Sequence, residues 1–260
     1  MGEIGVAVFQ ICIALCLAPL LTGFINRVKA IVAGRRGQPL LQTWYDIAKL
    51  LGKAPLYSRT TTWVFRAGPI VGAATAIAVL ILLPWGGGRA LVAFDGDVVL
   101  FVGLLGLGRF LTILAALDTG SSFEGMGASR EAWLSALTEP AVFLALAALA
   151  HVSGSLSLSD CLVGLRATGL GAPAVILAAV GTFIVLLAEN ARIPIDDPTT
   201  HLELTMIHEV MVLDHSGVDF AFVQYGAGVK LWIWASLFAA MLIPRTGLWL
   251  ADIGLMCAGV

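Results

Sequence analysis

Seven blocks of almost unbroken apolar residues, at about 3–24, 67–85, 98–117, 132–151, 172–189, 220–243 and 247–260, leave this chain few ways to fold. Each block is roughly 14 to 24 residues long, against the ~20 that a helix needs to cross a bilayer. Inside hydrocarbon every backbone N–H and C=O must be satisfied within the protein, which a helix does unaided and an open strand does not. With 59% of the residues hydrophobic and 12% charged, the expected fold is an all-α polytopic membrane protein: one membrane domain over residues 1–260, about seven transmembrane helices, and long cytoplasmic loops. The last block starts after Pro244 and is still apolar at Val260, so an eighth helix is expected if a tail has been lost. MGEIG supplies no basic n-region and no small-residue cleavage site follows, so the first block is read as a span and not as a secretory signal.

Orientation follows from the positive charges. Residues 25–66 hold eight of the fifteen Lys and Arg: Arg27, Lys29, Arg35, Arg36, Lys49, Lys53, Arg59 and Arg66. The positive-inside bias makes that loop cytoplasmic. Alternating spans then place Arg130 and Arg192 on the same side, with Arg89, Arg166 and Arg245 opposite and the N-terminus outside. Within the basic loop, residues 40–51 (LLQTWYDIAKLL) place apolar side chains at helical spacing with Trp44 and Tyr45 among them. Such a stretch suits a helix lying in the interface against lipid headgroups.

The four cysteines exclude a resident cluster as an expectation. Cys12 and Cys16 sit one turn apart in the first block, Cys161 and Cys257 are isolated, and no CxxC exists. His208-Glu209 opens like a zinc-protease helix, yet HEVMV lacks the second His. His201, His208 and His215 recur every seven residues, which on a helix would form one solvated or partner-facing side. Neither a phosphate-binding glycine loop nor a nucleophile elbow nor a nucleic-acid signature is present.

Charge is concentrated where it is costly. Residues 188–217 pack six carboxylates, Glu189, Asp196, Asp197, Glu203, Glu209 and Asp214, beside apolar spans. Glu139 lies about eight residues into the fourth block and is followed by Pro140, while Glu189 ends the fifth. Arg109 and Lys230 each fall roughly nine to eleven residues from the cytoplasmic boundary, which at ~1.5 Å per residue is near mid-membrane. An ionised group facing lipid costs about 2.5–3.5 kcal/mol on insertion scales, so these residues are expected to face inward and to meet one another. Two readings stand: an ion pair that fixes helix packing, or a chain of protonatable groups whose occupancy answers a neighbouring charge.

Three segments carry a family resemblance: GRRGQPLLQTWYDIAKLLGK (34–53), LDTGSSFEGMGASREAWLSALTEP (117–140) and AENARIPIDDPTTHLELTMIHEVMVLDHSG (188–217). They resemble the cytoplasmic-side signatures of the complex I subunit 1 family over nearly the whole chain, and within it the membrane subunit of formate hydrogenlyases and energy-converting NiFe hydrogenases. The quinone-reducing branch resembles ExNRxPFDxPExExEL in the last segment. This chain keeps Glu189, Arg192, Pro194, Asp196, Pro198 and Glu203 but has Thr199 and His201 where two acids would stand, a departure that weighs against a quinone site.

The resemblance implies a subunit with no cofactor of its own, in the inner membrane. Its partners would be hydrogenase large and small subunits, an iron–sulfur protein and antiporter-like membrane subunits, with the iron–sulfur clusters and the NiFe centre held by those partners. It implies a proton path through Glu139, Glu189, Glu203 and Glu209 with Arg109 and Lys230. Arg130, Glu131, Arg192, Asp196 and Asp197 would meet the peripheral arm, on loops at 118–131 and 190–219 that include the glycine-rich turn SSFEGMGAS. The alternatives are the quinone-binding membrane subunit of an NADH-quinone oxidoreductase and a self-contained transporter, for which the paired repeats common in such folds are not evident.

The charge asymmetry yields a direct test. A cysteine placed at Ser58 should react with membrane-impermeant maleimide in inside-out vesicles and stay unlabelled in intact cells; labelling in intact cells would invert the orientation.

Overall fold

The computed structural model describes residues 3–85, 88–168, 173–192, 195–196 and 206–242. Their regular structure is helical throughout: α1 (Glu3–Val32), α2 (Gln42–Leu51), α3 (Trp63–Leu82), α4 (Asp97–Asp118), α5 (Ser122–Ser153), α6 (Leu158–Thr168), α7 (Pro173–Glu189), α8 (His208–Met211) and α9 (Gly217–Leu242). Five of these, α1, α3, α4, α5 and α9, are long and apolar enough to cross a membrane, and the apolar α7 adds a sixth of 17 residues. The seventh expected span, 247–260, lies outside the described residues, as do Asp197, His201 and Glu203.

The helix α9 is the hub. Leu231, Trp232, Ile233 and Trp234 are consecutive and all buried; at ~100° per residue four in a row cover the whole circumference, so α9 is walled on every side. It packs on α1, α2, α3 and α7, and Val79, Phe101, Leu146 and Leu149 complete the surrounding core. Helices approach closely where small residues meet. A Cβ on Gly68 would lie 2.7 Å from that of Ala115, and one on Gly226 would lie 3.2 Å from the Ala73 backbone, so side-chain packing replaces the hydrophobic drive that lipid cannot supply.

The interfacial stretch forms α2, with Thr43 and Ile47 turned inward. Trp44 fastens it, its Nε1 donating to the Cys16 carbonyl of α1 at 3.2 Å and its ring lying 6.1 Å from that of Tyr225 on α9. The glycine-rich stretch differs from expectation. It is not a loop: Gly120 at φ +70° makes the turn and α5 begins at Ser122. At 32 residues α5 is ~48 Å long, so its first turns stand clear of a ~30 Å hydrocarbon core. Gly127 on this projecting part lets α8 sit close, since a Cβ there would come within 2.9 Å of the Ile207 carbonyl.

Two polar faces close the bundle. On one, Asp118 at the end of α4 accepts from Thr62 N at 2.7 Å, from Thr62 Oγ1 at 2.9 Å and from Phe65 N at 3.2 Å, capping α3. On the same face Leu56 N donates to Ser216 Oγ at 2.9 Å. On the other, the buried Asp97 accepts from Leu158 N at 2.6 Å and Ser157 Oγ at 3.1 Å, tying α4 to α6, and Arg89 pairs with Asp160. Asp97→Asn leaves a single accepting oxygen where both carboxylate oxygens accept from backbone amides, of Leu158 and of Phe94, so one amide would face an NH2 group, and the change should cost about 1–3 kcal/mol. A lowered midpoint of thermal unfolding in detergent checks this, with Asp95→Asn, on the neighbouring exposed loop, as the neutral control.

Candidate functional site

Arg109, on the buried side of α4, is the centre of the site. Its side chain is 8% exposed and its three nitrogens meet three different carboxylates. Nη2 lies 2.5 Å from Glu189 Oε1, Nη1 lies 3.2 Å from Glu139 Oε1, and Nε is 3.5 Å from Glu131 Oε1. Glu189 is then shared. Thr138 Oγ1 donates to its Oε1 at 3.2 Å, and Lys230 Nζ of α9 stands 3.7 Å from its Oε2. On the other flank Glu131 Oε2 faces His208 Nε2 at 3.4 Å, and His208 Nδ1 faces Asp196 Oδ2 at 3.6 Å. Asp196 also accepts from the Ile207 and His208 backbone amides, each at 3.2 Å.

The groups form one series from the face carrying α8 to the middle of α9: Asp196, His208, Glu131, Arg109, Glu189, Lys230. Burial pushes the Asp196 carboxyl up, but the His208 ring beside it and the hydrogen bonds from the two amides outweigh it and hold it below the usual range. Further in, three carboxylates face two fixed cations. Counted as ionised groups, the set carries one more negative than positive charge.

A cavity of about 260 Å³ runs beside this series, between α3, α4, α8 and α9. Arg109, Glu131, Glu189, His208, Glu209 and Lys230 line one part of it, and Gly68, Gly72, Gly108 and Gly226 keep the rest open. Among the described residues, no group of three or more His, Cys, Asp or Glu stands together as a metal would require.

The structure thus gathers Arg109, Glu139, Glu189 and Lys230, with Glu209 exposed on the same cavity. Several assignments change. Glu139, expected to face inward, keeps one oxygen on Arg109 while its side chain is 43% exposed on the outer side of α5. Glu131 and Asp196, expected at the docking surface, are buried and turned onto Arg109 and His208, because the segment read as a loop is helix and rotates Glu131 inward. Arg130 stays at that surface, Nη1 donating to the Met206 carbonyl at 3.1 Å. Arg192 is partly buried, which pulls its guanidinium below the usual value. His208 and His215 do not share a helix side: α8 is four residues long, His208 joins the series, and His215 is buried beyond it. Sequence reasoning missed Glu131 and His208 as links. The signal was present in the seven-residue recurrence of Glu124, Glu131 and Thr138, one stripe of a helix whose first turns resemble a glycine-rich loop in composition.

Removing the shared cation strands two buried carboxylates. Arg109→Gln should cost about 3–5 kcal/mol, read as a fall in folded yield and thermal midpoint in detergent. Combining it with Glu189→Gln should recover part of the loss.

Comparison with known proteins shows the family and the fold. The NADH dehydrogenase family profile matches residues 4–255. Hydrogenase-4 component C of Escherichia coli is 33% identical across 92% of this chain and 75% of its own length. Formate hydrogenlyase subunit 4 of the same organism is 30% identical, covering 90% and 76%. A subunit of the NADH-quinone oxidoreductase of Rubrobacter xylanophilus is 29% identical, covering 90% and 69%. Among solved structures, a chain of the membrane-bound sulfane sulfur reductase, an archaeal respiratory membrane complex, superposes with a TM-score of 0.78 at 23% identity, over 100% of this chain and 86% of the other, which speaks to the fold.

Proposed function

Since the chain belongs to the NADH dehydrogenase family, we propose that it is the membrane-anchoring and proton-coupling subunit of a hydrogenase or formate hydrogenlyase type complex in the inner membrane, with its N-terminus outside. The likeness to hydrogenase-4 component C and formate hydrogenlyase subunit 4 supports the class of complex. The observation that supports the coupling is the series of ionisable side chains from Asp196 to Lys230 across the bundle interior, each within 4 Å of the next.

In this reading the iron–sulfur protein and the hydrogenase large and small subunits dock on the face formed by α8, the start of α5 and the 53–62 segment, with Arg130 and Arg192 at the contact. Iron–sulfur clusters and the NiFe centre belong to those partners, and electrons do not enter this chain. A charge change in the docked subunit acts on Asp196 and His208. The His208–Glu131 contact passes it to Arg109, and the proton occupancy of the carboxylates around Arg109 shifts in response. Glu139 is the lateral outlet. A half-exposed carboxylate on the outer side of a spanning helix is costly against lipid, so an antiporter-like membrane subunit covers it and receives the proton.

Gln variants separate a path from a packing device, because Gln keeps size and hydrogen bonding while losing the titratable charge. Glu139→Gln, Glu189→Gln and Glu203→Gln complexes should assemble at a yield close to wild type and generate a membrane potential reduced severalfold or more. Low yield in Glu189→Gln would mark a structural ion pair, and normal yield with normal potential in all three would remove the proton path.

A further inference from the structure

The turn leading into α9 holds a second set of buried ionisable groups that the Arg109 series does not use. His215 and Asp219 are 7% and 5% exposed. The imidazole lies flat on Phe65 of α3, centroids 4.0 Å apart and planes 14° from parallel. Yet His215 Nδ1 and Asp219 Oδ2 are both buried without a hydrogen-bond partner. Buried polar atoms in native proteins are almost always satisfied, and unpaired ones call for a reason.

Position supplies one. His215 lines the same cavity as Arg109, Glu131, Glu189 and Lys230, on the opposite wall. Outward of it, Tyr57 sits against Asp219, and Arg66 covers the Tyr57 ring at 4.2 Å. Burial, then the contact with the Asp219 carboxylate, pushes the Tyr57 hydroxyl above its usual value. Burial holds His215 below its usual value against the pull of Asp219 and Asp214. The strap bearing Tyr57 is held down by Leu56 N on Ser216 Oγ, and by Gly217 at φ +54°, where a Cβ would come within 2.7 Å of the Lys53 and Ala54 carbonyls. The remaining charges facing this turn are Glu124 of α5, which accepts from the Asp214 amide at 3.0 Å, and Glu209 and His208 of α8 across the cavity.

We propose that Asp219 and His215 are a proton inlet, carrying protons from the aqueous face under the 53–62 strap into the cavity beside Arg109, separately from Asp196 and His208. Water at the strap protonates the Asp219 carboxylate, and because Asp219 Oδ2 and His215 Nδ1 are not hydrogen-bonded to each other, an intervening water relays the proton to His215 Nδ1. The imidazolium releases a proton from its second nitrogen to water in the cavity, which has room for several waters at ~30 Å³ each. One proton enters and one leaves, with no electrons moved. The Tyr57 hydroxyl holds the Asp219 carboxylate toward the strap.

The proposal rests on the coupling function above, and its test keeps the two apart. The purified complex is reconstituted in proteoliposomes, and electron-transfer-linked proton uptake is followed with a pH-sensitive dye. In His215→Ala, uptake at neutral pH should fall about tenfold at unchanged assembly yield. Added imidazole should restore it, while pyrazole, a ring of the same size and far weaker basicity, should not. A coupled wild-type complex with undiminished uptake in His215→Ala, or with rescue by both rings or by neither, overturns the inlet. A wild-type complex without linked uptake removes the coupling function and the inlet with it. Should His215→Ala fail to assemble, Asp219→Asn keeps size and hydrogen bonding, and wild-type uptake in that variant overturns the inlet equally.

Discussion

One guanidinium divided among three carboxylates sets the arrangement of this bundle. Arg109 cannot stay buried in α4 without Glu131, Glu139 and Glu189, and those come from two other helices. The registers of α4, α5 and α7 are therefore fixed relative to one another by charge, to within the length of a hydrogen bond, where apolar packing alone would tolerate sliding. Lys230 extends the same constraint to α9. A cluster of this kind is expensive to desolvate, and the pairing of its members with one another offsets that cost.

The spans were legible in the sequence because hydrocarbon permits so few solutions. Blocks at 67–85, 98–117 and 220–243 became α3, α4 and α9 within a few residues. The helix in the basic loop was equally legible, apolar residues at helical spacing with Trp44 and Tyr45 among them marking α2. The start of α5 was not. Gly125 and Gly127 stand in a stretch that reads as a turn, whereas the structure holds both inside α5; the close backbone approach that such glycines allow is realised at Gly127, against the Ile207 carbonyl.

That misreading carried over to the site. Arg109, Glu139, Glu189 and Lys230 stood out as charges inside apolar blocks, and inward pairing was the cheap way to bury them. Glu131 and Asp196 were expected at the docking surface from the family resemblance, and the rotation of α5 and the fold of the 206–211 segment turn them inward. His215 stood out only as one of three histidines recurring every seven residues and Asp219 gave no signal, since their meaning comes from Phe65 and Tyr57, some 150 residues earlier in the chain.

The position of α9 at the hub has a consequence for biogenesis. It is the last of the described spans to leave the ribosome, yet it is the one enclosed on every side. The earlier helices therefore cannot close into a finished bundle during insertion and must hold an open slot until Gly217–Leu242 arrives. While that slot is empty, the Glu189 carboxylate lacks the ammonium of Lys230 and the α2 indole lacks the ring of Tyr225. Nascent chains at this stage present a polar cleft to the lipid, the kind of surface that membrane chaperones and quality-control proteases recognise.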